Sequence, residues 1–421
     1  MFDSKVASRL KAQLSKFSRE LSEGLPRPSR KFVQQMLYGI QASQDVKLSS
    51  IARSLQEKIP LIKTEDRLSR NLAAEELEIH LAQRLAQIGS RRVGYDTVLA
   101  LDLSDVRKDY ARKMEYLDQV YDGSTGQVHP GYWLCEVTAV EMRSSEIVPL
   151  YQKLYSAEAP EFRGENRELL AAVDWVGTFV GGRGIWVMDR GGDRKHLLEP
   201  LLERQLRFVI RSTGRRTVVD RHQLRGTVAE VAGRCRLPHA ARVTRIDEEG
   251  KKKVYELRYG AERIRLPGQE EPLLLVVIAG FGARPLMLLS NLAARARDSE
   301  SLWKIVEIYL SRWKIEETLR FLKQSYHFED VRVLSYRRLQ NLAVLVLAVA
   351  YFAATFLGQK LKLKLLCEKL LIISRRFFGI PPFRFYALAD AIRHVLSHSS
   401  PPASLPPPDE WPLQLMLAWH G

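Results

Sequence analysis

The sequence predicts an α/β fold with a β-rich insertion and helical segments at both ends. Three observations predict it. Between about residues 97 and 212, short apolar runs alternate with helix-like stretches, the texture of strands and helices sharing one sheet. From Arg225 to Leu289 the chain turns to period-two and continuous apolar runs, interrupting that alternation. Before about residue 90 and after about Ser335, apolar residues recur at helical spacing.

The bulk composition bounds the class. A chain of 421 residues has room for two to three domains. Its 46% hydrophobic content supports packed cores, so this is a globular protein. With 65 Lys and Arg against 49 Asp and Glu, the net charge is +16. That excess favours a polyanionic partner, because each neutralised phosphate releases counterions. Cys135, Cys235 and Cys367 are far apart and show no CxxC spacing, which argues against a disulfide framework or zinc site and fits a reducing cytosol. The opening MFDSKVASRLKAQLSKF lacks the apolar core of a secretory signal. The apolar run Leu342 to Leu357 has sixteen residues, fewer than the roughly 20 of a membrane span. It reads as a buried core helix, and no membrane partner is expected.

The elements follow in order. Leu48 to Leu72 holds two apolar-periodic stretches around Ile59-Pro60-Leu61 with basic residues on the other faces. That pattern fits a small DNA-binding domain of helix-turn-helix character, and equally an ordinary helical bundle. TVLALDLSDV, from Thr97, reads as a buried strand ending in acids. DGSTGQ is a turn before a strand over Gly131 to Met142. Glu165 to Phe179 is helix-like, GIWVMDRGGD is a short strand ending in Asp189, and a helix leads into the strand LRFVIRSTG. KKKVYELRYGAERIRL alternates, PLLLVVIAGF is a buried strand, and SSPPASLPPP is a Pro-rich tail. The expected division is a helical DNA-binding domain over 1–92 and a catalytic core over 93–212 and 291–335. A β-rich insertion over 213–290, a helical region over 336–398 and a tail over 399–421 complete it.

Two acids close two strands: Asp102 after VLAL and Asp189 after IWVM. Open sheets build sites at the carboxyl edge of such strands. Glu316 offers a third carboxylate, and three of them suit a pair of hard divalent cations, Mg²⁺ or Mn²⁺, that take oxygen ligands and phosphate. A lone strand-end Asp is more often a helix cap, and Asp105 and Asp193 compete on the same grounds. In YLSRWKIEETLRFLK, Arg312, Glu316 and Lys323 stand 3, 7 and 14 residues after Tyr309. At roughly 100° per residue all four share a wedge of about 60° on one helix. By spacing alone the Arg312–Glu316 pair is an ordinary solvated i,i+4 contact.

The order of these residues resembles a known family. Tyr309, Arg312, Glu316 and Lys323 match the YREK signature of bacterial insertion-sequence transposases of the insertion-sequence-four family. LLSNL before the signature, LALDLSD upstream and VMDRGGDRKHLLEPLLERQLRFVIRSTG between them are similar to that family's surroundings. The resemblance covers roughly residues 95 to 350 and implies a ribonuclease-H-like core with a β-rich insertion. It implies Asp102, Asp189 and Glu316 as a catalytic, metal-binding triad holding two Mg²⁺ (or Mn²⁺) ions per active site. It implies Tyr309, Arg312 and Lys323 as residues that hold the phosphates of transposon-end DNA, roles suited to their chemistry. Arg190 in the Asp-Arg-Gly turn, with Arg207, Arg211, Arg215 and Arg216 of the following basic cluster, then reads as a DNA-contacting surface. The expectation is a DDE transposase of cut-and-paste type. It would bind terminal inverted repeats and target double-stranded DNA, work as a homodimer in the synaptic complex, and act in the bacterial cytoplasm at the nucleoid. A DNA-binding descendant without catalysis and a ribonuclease-H-like host nuclease are the rival expectations.

Overall fold

The computed structural model is built around one twelve-stranded sheet. The structure describes residues 4–123, 126–142, 146–246, 252–313, 325–331, 333–358, 361–362, 365 and 385–398. Glu316, Lys323, Cys367 and the expected tail lie outside these residues. Strands β1 (Val98–Arg107), β2 (Asp118–Asp122), β3 (Gln127–Val140) and β4 (Ile147–Tyr155) are antiparallel neighbours. β5 (Ile185–Met188) and β6 (Phe208–Arg211) add in parallel on the other side of β1. The order β4-β3-β1-β5-β6, antiparallel then parallel, is that of the ribonuclease-H-like core the resemblance implied. β2 follows the same edge of β3 as β4, because Gly131 pairs with both Arg107 and Asp118.

The β-rich stretch continues this sheet. It comprises β7 (Thr217–Asp220), β8 (Arg225–Thr227), β9 (His239–Ile246), β10 (Lys252–Arg265), β11 (Pro272–Ala279) and β12 (Leu286–Ser290). β12 pairs antiparallel with β6 and carries β11, β10, β7 and β8 outward in turn. Within it, Thr227 and Glu230 form a reciprocal capping box. That box, which satisfies two otherwise orphaned backbone donors, starts a short helix the alternation of the block did not suggest.

Two differences from the sequence reading have physical causes. β1 does not stop at Asp102 but runs to Arg107, because β3 pairs with its whole length. β4 went unread because IVPLYQKLY carries a Pro and is buried on both faces, so it shows no period of two. Among the described strands only β3 pairs with it, next to a register shift at Val137/Thr138, and Pro149 sits there. An edge strand at an irregularity tolerates a residue without an N–H.

Helices cover both faces. α6 (Glu165–Val180) and α7 (Lys195–Glu203) pack through Leu169, Val173, Val176, Leu197 and Leu201 on the side of Leu99, Leu101, Trp186 and Met188. α9 (Ser299–Leu310) packs through Leu302, Ile305, Val306 and Tyr309 on the side of Val98, Ala100, Ile185, Val187 and Val209. Other helices among the described residues include α1 (Ser4–Leu21), α2 (Arg27–Ser43), α3 (Leu48–Leu55), α4 (Leu61–Asn71), α5 (Leu77–Ser90), α8 (Val228–Arg234), α10 (Tyr336–Tyr351) and α11 (Phe385–Ser397).

α10 is the central strut of the helical layer. With the wider turn Phe352–Phe356 that extends it, it is long and apolar enough to cross a membrane, yet 94% of its most apolar window is buried. Each Leu or Val so buried contributes about 1.5–3 kcal/mol. Its polar side chains serve packing: the fully buried Asn341 donates to Leu72 O and Ala74 O, both at 2.8 Å. Gln41 donates to Val349 O, and Phe17 stacks on Tyr351 at 5.7 Å. Thr355 donates to Ile147 O at the start of β4. The N-terminal helices, α10 and the sheet therefore share one core.

Lys108 closes the end of β1. Only 3% exposed, it donates to Phe328 O at 3.0 Å and Glu329 O at 2.7 Å. Burial lowers its ammonium from 10.5 to about 7, against the opposing pull of Glu329 and Asp330. Because the folded state holds this proton less tightly than the unfolded state, Lys108 makes stability rise with pH from about 7 to its unfolded value. Lys108→Met should flatten that rise, as read from urea unfolding at a series of pH values across the window.

Candidate active site

The register of the sheet assembles a polar row on the face that α9 covers. β1 pairs with β5 at Val98↔Ile185, Leu99↔Trp186 and Ala100↔Val187, an offset of 87 residues (185 − 98). Asp189 lies the same 87 residues beyond Asp102 (189 − 102). Both acids thus stand two positions past the last parallel pair, on the face of Val98, Ala100, Ile185 and Val187. β6 repeats the relation. Trp186↔Phe208 and Met188↔Ile210 are offset by 22 (208 − 186), which sets Arg211 beside Asp189. Adjacent strands are about 4.8 Å apart, so Asp102, Asp189 and Arg211 form neighbouring positions along one row. Asp105 is three residues beyond Asp102 in regularly paired strand, and the period of two turns it to the opposite face.

Two local structures hold Asp189 in place. Its carboxylate accepts from Gly191 N at 2.6 Å and caps the short turn Arg190–Gly192. At Gly192 a Cβ would meet Met188 Cβ at 2.6 Å, so only glycine lets the chain double back this tightly after β5. Asp193 then anchors the turn. Its side chain, fully buried, accepts from Ser212 Oγ (2.8 Å), Thr213 N (2.8 Å), Thr213 Oγ1 (3.1 Å) and Arg216 Nε (2.5 Å). The competing acid of the sequence therefore ties the Asp189 turn to the loop after β6.

From the other side come Tyr309 and Arg312. Within the helix expected over Tyr309–Lys323, α9 ends at Leu310, a turn follows at Ser311 and Arg312, and Trp313 is helical again, while residues 314–323 lie outside the described residues. Ser311 Oγ donates back to Ile308 O at 2.7 Å, and Arg312 N closes a tighter turn on Tyr309 O at 3.1 Å. A serine hydroxyl competing for helix carbonyls is a known cause of such a break. The turn brings the Arg312 guanidinium to 3.2 Å from Asp102, with the Arg side chain only 6% exposed. The same guanidinium lies 5.8 Å from the Tyr309 ring. Burial pushes the Tyr309 phenol above its ordinary value, Arg312 and Arg211 pull against that, and Asp189 adds to it. Tyr309 is thus within electrostatic reach of both arginines and the second acid.

The other arginines divide. Arg190 and Arg215 are exposed, Arg190 directly after Asp189 and Arg215 in the loop that Asp193 anchors. Arg216 is occupied by its buried pair with Asp193. Arg207 precedes β6, at the amino end of the parallel strands and away from the acids. There its guanidinium lies 3.2 Å over the Tyr95 ring and donates to Gly184 O. These last two are engaged by Asp193 and by the Tyr95 ring. Trp313 stands edge-on to Phe281 at 6.2 Å.

A divalent cation can be tested against this donor set. Asp102 and Asp189 supply hard carboxylate oxygens, the ligands Mg²⁺ and Mn²⁺ favour. Among the described residues no three His, Cys, Asp or Glu side chains form a metal-holding group. Glu316, the third acid that the resemblance implies, lies outside the described residues. The arrangement can bind a phosphate: arginines flank two carboxylates at the edge of a sheet.

The anchor makes a stability prediction. Asp193→Ala leaves Arg216 buried without its partner, a change that costs about 3–5 kcal/mol. Denaturant unfolding should show that loss.

Comparison with known proteins identifies one family. Residues 167–352 match the family model described as "Transposase DDE domain". The matched segment takes in Asp189, Arg211, Tyr309 and Arg312, starts after Asp102 and spans less than half of the chain. No curated protein matches the chain. The family match, on a mixed α/β sheet with these residues at its edge, supports a DDE transposase.

Proposed function

We propose that the chain is a cut-and-paste DNA transposase that cleaves and rejoins phosphodiesters at the ends of an insertion sequence. The observation that carries the reading is the row Asp102–Asp189–Arg211 with Tyr309 and Arg312 brought onto it. Asp102 and Asp189, with Glu316 as the resemblance implies, would hold two Mg²⁺ or Mn²⁺ ions. When bound, such ions polarise the scissile phosphate and lower the barrier to attack by water or a 3′-hydroxyl.

The chain's own residues do the rest. Arg211 and Arg312 grip phosphate oxygens and place the scissile group against the two acids. The half-buried setting strengthens each charge interaction relative to water. The Tyr309 phenol, held protonated by its burial, donates to a phosphate oxygen and does not remove a proton. Arg190 and Arg215 extend the basic surface along the duplex. Joining needs no added energy source, since one phosphodiester replaces another. Terminal inverted repeats and target DNA are the substrates, with α1–α5 the region proposed to bind the repeats. A homodimer would pair two ends in the bacterial cytoplasm.

The test is a cleavage and joining assay on a labelled duplex carrying the repeat that flanks the gene, with Mg²⁺ or Mn²⁺. Wild type should cut at the repeat boundary and join. Asp102→Ala, Asp189→Ala and Glu316→Gln should each fall below about 1% of that rate. Repeat binding without cleavage would favour a DNA-binding descendant, and cleavage indifferent to the repeat would favour a host nuclease. In the same binding experiments, Arg211→Ala should weaken affinity for all sequences and reduce the salt slope by about 0.9. An unchanged slope would remove Arg211 from the DNA surface.

A further inference from the structure

We propose that the outer face of α4 reads base edges in the major groove of the repeat DNA, and that Glu57 is the positioning residue that clamps α4 for that task. This rests on the reading of α1–α5 as the repeat-binding region. In the sequence, the stretch around Ile59-Pro60-Leu61 fits a DNA-binding turn and an ordinary bundle equally.

Glu57 stands in the turn between α3 and α4. One of its oxygens accepts from Gln35 Nε2 of α2 at 3.0 Å. The other accepts from Thr64 Oγ1 at 2.9 Å and Arg67 Nη2 at 2.7 Å, both of α4. Burial works to raise this carboxyl, but the hydrogen bonds from Arg67, Thr64 and Gln35, with the Arg67 charge, outweigh it and hold it below the ordinary carboxylate range. Glu57 is therefore charged at neutral pH, as an ion-pair latch requires. Toward the end of α4, Arg338 of α10 donates to Ser69 O at 3.0 Å, one turn before the Leu72 carbonyl that Asn341 holds. Rolling α4 between α2 and α10 would break these bonds.

The latch faces inward and leaves a stripe facing out. Ile62, Lys63, Asp66 and Arg70 are exposed, and at roughly 100° per residue they share a wedge of about 100°. Thr64 and Leu68 are buried on the opposite side. Ile62 is 62% exposed, and Ile59 and Leu61 beside it are exposed as well, an apolar ridge of the kind that marks a contact surface. Around it Arg53, Lys58, Lys63 and Arg70 are exposed and form no ion pair among the described residues, while the inward Arg67 is paired. An apolar ridge flanked by unpaired cations fits DNA. The cations meet phosphates. A helix enters the major groove, where Ile62 suits a thymine methyl, Asp66 can accept from cytosine N4, and Arg70 can grip guanine O6 and N7. A second copy of this chain, with its net charge of +16, would meet these cations with like charge.

The experiment is binding of the full-length protein to the duplex carrying the repeat that flanks the gene, and to a shuffled duplex of the same length, over a range of salt. Ile62→Ala, which alters an exposed side chain, should lower the preference for the repeat about tenfold and leave the shuffled-duplex affinity and salt slope unchanged. Replacing the thymines of the repeat one at a time by uracil removes only the methyl. It should weaken wild type at one position and leave Ile62→Ala indifferent there. Glu57→Gln should cost a similar share of the preference with the shuffled affinity unchanged, because phosphate contacts tolerate a loosened helix and base contacts do not. Both affinities falling together in Glu57→Gln would make it a structural support and overturn its positioning role. Should Glu57→Gln fail to fold, Thr64→Val removes one hydroxyl from the latch; a reduced preference then supports the role, and a wild-type preference overturns it. If wild type prefers the repeat while Ile62→Ala and Arg70→Ala keep that preference, the α4 face is overturned and the repeat-binding region stands. If wild type binds both duplexes alike, that reading falls and the proposal with it. A change in the sedimentation of Ile62→Ala with no change in DNA binding would assign the face to a second copy of the chain and overturn the proposal.

Discussion

The parallel pairing of β1 with β5 is the constraint on which the site depends. Three residue pairs, Val98 to Ala100 against Ile185 to Val187, set the offset that brings Asp102 level with Asp189. A slip of one residue would turn one acid to the opposite face, because strand side chains alternate. The register is held by burial on both faces. Val98, Ala100, Ile185 and Val187 pack under α9, while Leu99, Leu101, Trp186 and Met188 pack under the other helices. Apolar residues on both sides of a parallel pair leave no register in which the polar residues beyond it are equally placed.

The charges of the site are balanced by groups from distant parts of the chain. Arg312 meets Asp102 across 210 residues, and the Asp193 anchor joins the turn after β5 to the loop after β6. Both contacts are buried pairs, strongly destabilised when one partner is lost and of modest worth as a whole. Their value lies in position. They fix an arginine and a carboxylate at the edge of the sheet where a solvated pair would wander through rotamers. The β-rich stretch serves the same end, since β12 pairs with β6 and supports the strand that carries Arg211.

The helical layer supplies rigidity from behind. α10 ties Leu72 and Ala74 to Asn341, Gln41 to Val349 and β4 to Thr355. The N-terminal helices rest on this strut, which joins them to the sheet through packed side chains. Lys108 links the carboxyl end of β1 to Phe328 and Glu329, the stretch that follows residues 314–324.

Much of this was legible in the sequence because the signals were local. Apolar runs of strand length marked β1, β5, β6 and β11, helical spacing marked α6 and α10, and an acid at the end of each of two runs pointed to Asp102 and Asp189. Tertiary structure decided the rest. Pairing with β3 carried β1 past Asp102, and alternation along that longer strand separated Asp102 from Asp105. A serine back-bond ended α9 before Arg312 and so swung that arginine onto Asp102. Arg207 and Arg216, which look like their neighbours in a basic stretch, went to an aromatic ring and a buried aspartate. Composition and periodicity report what one segment prefers; register, and the partner each charge finds, depend on segments the chain brings together only when it folds.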